Sequence, residues 1–219
     1  SALHLRASHI HPNGIQETTA HLEFGFVFHP KGYTPEYGNR ARVRLGNGTD
    51  IDVVGGRAGQ EFHAFAVLEL HTKLVAFEPH LHAPGTRMCI EAIWGSNHFT
   101  LNCVGYDHSW VKQYVYEDDA APLLPKGTIM HIVGFLDTTA ANENVADSRN
   151  WAGGGRRSVA NMFIDLGYSV ELTEEQFQSE MADRRAKMKS RNDYDIGCPL
   201  CWAPVPTEMT STTDDGVQQ

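Results

Sequence analysis

The chain has 219 residues, 41% of them apolar and 21% charged, which is enough to bury a substantial core without relying on disulfides. Its formal charge of −9, from 18 basic against 27 acidic residues, supplies no basic field for phosphate backbones and makes nucleic acid a poor partner. No apolar run approaches the roughly 18 to 20 residues that cross a bilayer, and the opening SALHLRASHIHPNG has neither a basic nor an apolar leader segment.

Up to about residue 170, short apolar runs broken by Gly, Pro, Asn and Asp predict antiparallel β-structure. Strands are expected at Ala2 to Ile10, Ala20 to Phe28, Glu61 to Leu70, Lys73 to His82, Arg87 to Trp94, His98 to Gly105, Thr128 to Asp137 and Val159 to Leu166. That set predicts an all-β fold, a sandwich or jelly roll. The clearest hairpin is MCIEAIW, a loop Gly95-Ser96-Asn97, and HFTLNCVG. A loop of that length pairs Trp94 with His98 and, counting outward, Cys89 with Cys103, a register compatible with a cross-strand disulfide. Beyond Leu172 the pattern changes. Thr173-Glu174-Glu175-Gln176 is a capping box, followed by a helix-forming stretch with acidic residues early and basic residues late. One helix is expected from Glu174 to Lys189, lying on the surface because its apolar positions, Phe177, Met181 and Met188, are few. A flexible polar tail is expected from Thr207. A Gly-, Pro- and Asn-rich stretch, His29 to Asn47, suggests a partial first domain over 1–47, a complete β-domain over 48–172, and the helix and tail over 173–219.

Twelve histidines stand out, since average usage would give about five. His80 and His82 alternate on one strand, so both imidazoles face the same side at a strand end, and Ala83-Pro84-Gly85 then turns the chain. Read without any relative in mind, His-x-His fits two packing histidines as well as a metal site. A methionine such as Met162, in an apolar strand after Gly153-Gly154-Gly155, is more often core than ligand. Should these three meet, two imidazoles and a soft thioether point to copper cycling through Cu(I).

FEPHLHAPGTRM, YDHSW, LPKGTIMHIVGFLDTTAANE and the late SVANMF together resemble the type II copper, ascorbate-dependent monooxygenases, and their bacterial members most closely. The resemblance covers roughly Phe62 to Leu166. It implies two jelly-roll domains with one copper each. The second activates oxygen at His80, His82 and Met162, and a small organic substrate is hydroxylated there at a C–H bond. His9, in ASHIHPNG, sits where a ligand of the other, electron-supplying copper belongs. That site also needs an adjacent histidine pair, and the sequence has no His-His dipeptide. The missing half is therefore expected upstream or on a partner chain, with the chain a fragment or processed subunit; a relative that has dispensed with the site is the other reading. His4 and His11 are expected to be exposed. Where the peptide-hydroxylating member holds a substrate carboxylate with an arginine and a tyrosine, this sequence has Glu78 and Leu166, which disfavours a carboxylate-bearing substrate.

Tyr106, His108 and Trp110 could line a pocket for an apolar molecule, although packing is the commoner use of such residues. Asp107 or His108 could orient a metal-bound histidine through its second ring nitrogen. Histidines 21, 29, 63, 71, 98 and 131 have no spacing partner and are expected to be structural or surface residues. Cys198-Pro199-Leu200-Cys201 fits neither a haem nor a thioredoxin motif, and a local disulfide or a clasp onto another subunit is its expected use. Four cysteines suit an oxidising compartment, periplasmic or extracellular. Two rivals to the monooxygenase reading are a non-catalytic copper-binding or structural subunit of a larger complex, and a β-sandwich interaction module with incidental histidines.

Overall fold

The computed structural model describes residues 17, 19, 21–38, 41–42, 45–47, 51–149, 154–155 and 160–191. The expected strand Ala2 to Ile10, with His4, His9 and His11, lies outside the described residues, as do Cys198, Cys201 and the polar tail. The chain divides into two compact units, Ser1–Glu36 and Tyr37–Gln219. In the first unit, the expected strand Ala20 to Phe28 is irregular over 21–28, with Leu22, Phe24, Phe26 and Phe28 all exposed. Alternation gives that segment an apolar face. A strand persists only when a neighbour takes up its N–H and C=O groups, and among the described residues none pairs with it.

The second unit is an all-β sandwich with one C-terminal helix. Its strands are β1 (Ala41–Arg42), β2 (Leu45–Asn47), β3 (Gln60–Val67), β4 (His71–Phe77), β5 (Pro79–His80), β6 (Gly85–Trp94), β7 (Asn97–Gly105), β8 (Tyr114–Val115), β9 (Leu123–Leu124), β10 (Ile129–Leu136), β11 (Phe163–Asp165) and β12 (Tyr168–Leu172). One sheet runs β3-β10-β6-β7. The other side is built from β1-β12-β4-β8, with β9 also on β4, and from β2-β11-β5. β1 and β2 fall within the 1–47 stretch read as a partial first domain, yet they pair with β12 and β11 of this unit. The main core gathers Leu74, Phe77, Leu81 and Phe163 with Met88, Ile90, Met130 and Ile132, all at most 4% exposed.

The expected strand Lys73 to His82 is interrupted at Glu78, and its partner is interrupted opposite, between β11 and β12. Asp165 holds this double break together. Its buried Oδ1 accepts the backbone N–H of Glu78 at 3.0 Å and that of Gly167 at 2.8 Å, while Leu166 N–H donates to the Glu78 carbonyl at 2.9 Å. A methyl group on Gly167 would lie 2.0 Å from the Ala76 carbonyl oxygen, so the close approach of the two strands requires glycine there.

The β6–β7 hairpin departs from its expected register at the turn. Trp94 pairs with Asn97 and Ile93 with His98, so the loop is one residue shorter than predicted. A bulge at Leu101 restores the count: Ile90 pairs with Asn102 and Cys89 with Cys103, and the two cysteines are disulfide-bonded.

The helix, α1 (Glu174–Arg191), begins where its capping box predicts. Thr173 N–H donates to Gln176 Oε1 at 2.9 Å and Gln176 N–H to Thr173 Oγ1 at 3.2 Å. It is more than a surface helix. Phe177 and Met181, each 3% exposed, form a second core cluster with Leu123, Val170 and Leu172, so two well-placed apolar side chains suffice to dock it. Polar contacts fix the docking. Arg184 donates to the carbonyls of Asp118 and Ala121 at 3.0 and 3.1 Å. Lys73 Nζ, on a side chain 4% exposed, reaches Asp118 at 2.7 Å and Glu180 at 3.0 Å, and Tyr37 also donates to Glu180. Glu180→Ala is expected to cost about 2 kcal/mol, because the buried ammonium loses its less exposed anion. The check is a lowered denaturant midpoint at unchanged m-value.

Candidate functional site

His80 ends β5, where the pairing with β11 sets Ile164 opposite it. Beyond that pair, Met162 N–H donates to the Leu81 carbonyl at 3.0 Å. Met162 stands just before β11, two residues from Ile164. Two segments some eighty residues apart in sequence are thus joined backbone to backbone at Leu81 and Met162.

His82 follows at the head of a turn closed by Gly85 N–H on the His82 carbonyl at 2.9 Å. Its φ of +88° makes it the one non-glycine residue in the left-handed region among those described, a conformation that persists only where surrounding contacts enforce it. Several contacts do so. The residue is 4% exposed. Its Nδ1 lies 2.8 Å from the Ala160 carbonyl oxygen, and because a carbonyl can only accept, Nδ1 is the donor in that bond. The backbone N–H donates to the Tyr106 phenol oxygen at 3.3 Å. The His80 and His82 rings meet edge to face, with centroids 5.0 Å apart, and the His108 ring lies 5.9 Å from that of His82.

The segment that supplies Ala160 is anchored by Gly155 N–H on the Asn161 carbonyl at 3.0 Å. The orienting group is therefore a backbone carbonyl, which no side-chain motif announces. Asp107, one of the two residues considered for that role, is engaged within its own turn, where its carboxylate accepts the Ser109 N–H at 2.8 Å and the hydroxyl at 2.6 Å. Tyr106 is packed beneath the His82 turn; burial, with the Asp107 charge adding to it, pushes its hydroxyl up to about 12. Trp110 is 68% exposed, with Lys112 Nζ 4.8 Å from its ring centroid. The two positions noted for substrate, Glu78 and Leu166, are joined through their backbones, and Glu78 Oε2 accepts from Gln113 Nε2 at 2.8 Å.

A second cluster lies on the opposite sheet, among histidines expected to be structural or surface residues. Glu91 on β6 accepts through Oε2 from His98 Nε2 at 2.8 Å and from His131 Nδ1 at 2.7 Å. One ligand atom from each residue lies within 4.8 Å of the others, so this His/Glu group could hold a metal ion. Burial disfavours the Glu91 anion, but the hydrogen bonds from His98 and His131 outweigh it and hold the carboxyl below its ordinary value. His131 reaches in turn to His63 at 3.0 Å. His71, also expected to stand alone, pairs with Glu174 of the helix at 2.6 Å.

No described helix is long and apolar enough to cross a membrane. No protein-family model, curated protein or solved structure matches the chain.

Proposed function

We propose that the second unit is a copper-binding β-sandwich of the type II copper monooxygenase kind, with His80, His82 and Met162 as the copper ligands. The observation that carries this reading is the approach of Met162 to the His80-Leu81-His82 strand end through its hydrogen bond to Leu81, beside an imidazole whose Nδ1 is already committed to Ala160. Such a backbone-held histidine is how protein metal ligands are normally oriented. Copper on two imidazoles and a thioether supplies one-electron redox chemistry with a preference for Cu(I).

The chain's own residues define the surroundings. Ala160 fixes the tautomer and plane of His82, Tyr106 supports the turn from below, and Glu78, two residues before His80 in the chain, carries a carboxylate that accepts from Gln113. A carboxylate-bearing substrate would be repelled by Glu78, so a neutral or cationic organic molecule fits better, with oxygen as co-substrate. The disulfide Cys89–Cys103 favours a periplasmic or extracellular setting.

A non-catalytic copper-binding subunit is the second reading, favoured by the lack of a His-His dipeptide for the electron-supplying site, of which His9 would be one ligand. Anaerobic reconstitution with Cu(I) followed by elemental analysis tests the site. One copper per chain is expected, lost in the His80→Ala, His82→Ala double variant and held less tightly as Cu(I) in Met162→Ala. Native protein that takes up no Cu(I), or a double variant that keeps it, would overturn the assignment. Ascorbate-driven oxygen consumption then separates enzyme from scaffold, and activity lost in Met162→Ala marks the enzyme.

A further inference from the structure

We infer that Glu91, His98 and His131 form a second metal site, on the outward face of the sheet β3-β10-β6-β7, and that it takes a borderline divalent ion such as Zn²⁺. Three adjacent strands contribute one ligand each. His131 on β10 pairs directly with Glu91 on β6, and His98 on β7 pairs with Ile93, the next residue of β6 on that face. Ligands carried on a hydrogen-bonded sheet are held in place more firmly than ligands on loops.

The distances suit an ion. Zinc bonds of about 2.0–2.2 Å in tetrahedral geometry put neighbouring ligand atoms about 3.3 Å apart. Glu91 Oε2 already stands 2.8 and 2.7 Å from the two nitrogens, so admitting an ion requires opening each gap by roughly half an ångström. The Glu91 and His131 side chains are only 14% and 11% exposed, whereas His98 is 55% exposed, which leaves an open side toward solvent.

The outer partners fit as well. With an ion on Nδ1, His131 carries its proton on Nε2, and that N–H can donate to His63 Nδ1 at 3.0 Å. His63 is then protonated on Nε2, which lies 3.8 Å from Glu61 Oε2. A ligating histidine that donates its other N–H to a neighbour is the usual arrangement at metal sites. The Phe65 ring stacks on His131 at 4.2 Å and shields its flank. One carboxylate oxygen and two imidazoles, with no thioether, select Zn²⁺ over Cu(I). This distinguishes the cluster chemically from His80, His82 and Met162.

The experiment is equilibrium dialysis of the full chain carrying His80→Ala and His82→Ala against Zn²⁺, so its outcome is independent of the copper reading. One zinc per chain is expected. Adding Glu91→Gln or His98→Ala should weaken binding by more than the roughly 10–100-fold that the loss of an outer partner costs, and His63→Ala should fall within that range. Glu91→Gln preserves the side-chain shape and His98 lies beside the hairpin turn, so both variants should fold, as thermal melts can verify. A background protein that binds no zinc would overturn the site, as would folded Glu91→Gln and His98→Ala variants that bind it unchanged.

Discussion

Unfolding free energy is expected to fall by about 3 kcal/mol as the pH rises from about 5 to about 9, and Asp165→Asn is expected to remove most of that dependence. Asp165 is fully buried at the double strand break. Burial pushes its carboxyl up to about 7, the Glu78 charge adds to the shift, and the hydrogen bonds from the backbone N–H groups of Glu78 and Gly167 only partly oppose it. Its Oδ2 has no hydrogen-bond partner among the described residues and is the oxygen placed to hold the proton.

Between its unfolded value near 3.8 and its folded value near 7, this carboxyl binds more protons in the folded state than in the unfolded one. Stability from this group is therefore greatest at the acid end of the window and is lost as the pH rises through it. Asn keeps a side-chain oxygen for the Glu78 and Gly167 N–H groups without the ionisation. It leaves a buried NH₂ in place of Oδ2, so the variant should be the less stable protein at pH 5 and should draw level or lead at pH 9. Chemical denaturation at both pH values checks this; a native protein with a flat profile, or a variant with the native slope, would refute the account. Asp118 acts in the opposite direction, since the Lys73 ammonium lowers its carboxyl. Its stabilisation is present above its unfolded value and is lost as the pH falls toward its folded one.

The sandwich was legible because each long strand carries its own alternation and each break its own Gly, Pro, Asn or Asp. What could not be read were pieces of two or three residues, such as β1, β8 and β9, whose pairing depends on partners far away in sequence. The hairpin shows how a small error propagates. In the predicted register Trp94 faced His98, which placed Glu91 and His98 on opposite sides of the sheet. The shorter turn sets Ile93 against His98 and brings both onto one face. The bulge at Leu101 then returns Cys89 to Cys103, so the disulfide pairing was correct while the turn beside it was not. The Glu91 cluster was hidden by that single residue, together with a third strand whose register local sequence does not reveal. On the other side of the sandwich, His80-Leu81-His82 was conspicuous, but the Ala160 carbonyl that orients His82 carries no signature at all.

Phe163→Ala is expected to have the largest effect on the core, about 3–5 kcal/mol, and to be partly rescued by filling Gly134. Phe163 is 1% exposed and follows Met162 into β11, so its ring anchors the segment that approaches His80 and His82. That ring lies directly over Gly134 of β10: a methyl group there would sit 2.6 and 2.7 Å from two of its carbons and 3.0 Å from Leu81 Cδ2. Gly134→Ala alone should therefore destabilise by about 1–3 kcal/mol, through overpacking rather than backbone conformation. Once the Phe163 ring is gone, the same methyl group occupies part of the cavity and its main clash disappears. The double variant should accordingly be more stable than the sum of the single losses predicts, by about 1–3 kcal/mol, within the range found for side chains in contact. Denaturant midpoints of the four proteins measure this coupling. Strict additivity would mean that the ring does not rest on Gly134, whereas the expected coupling would confirm that the side chains at the two positions share that space.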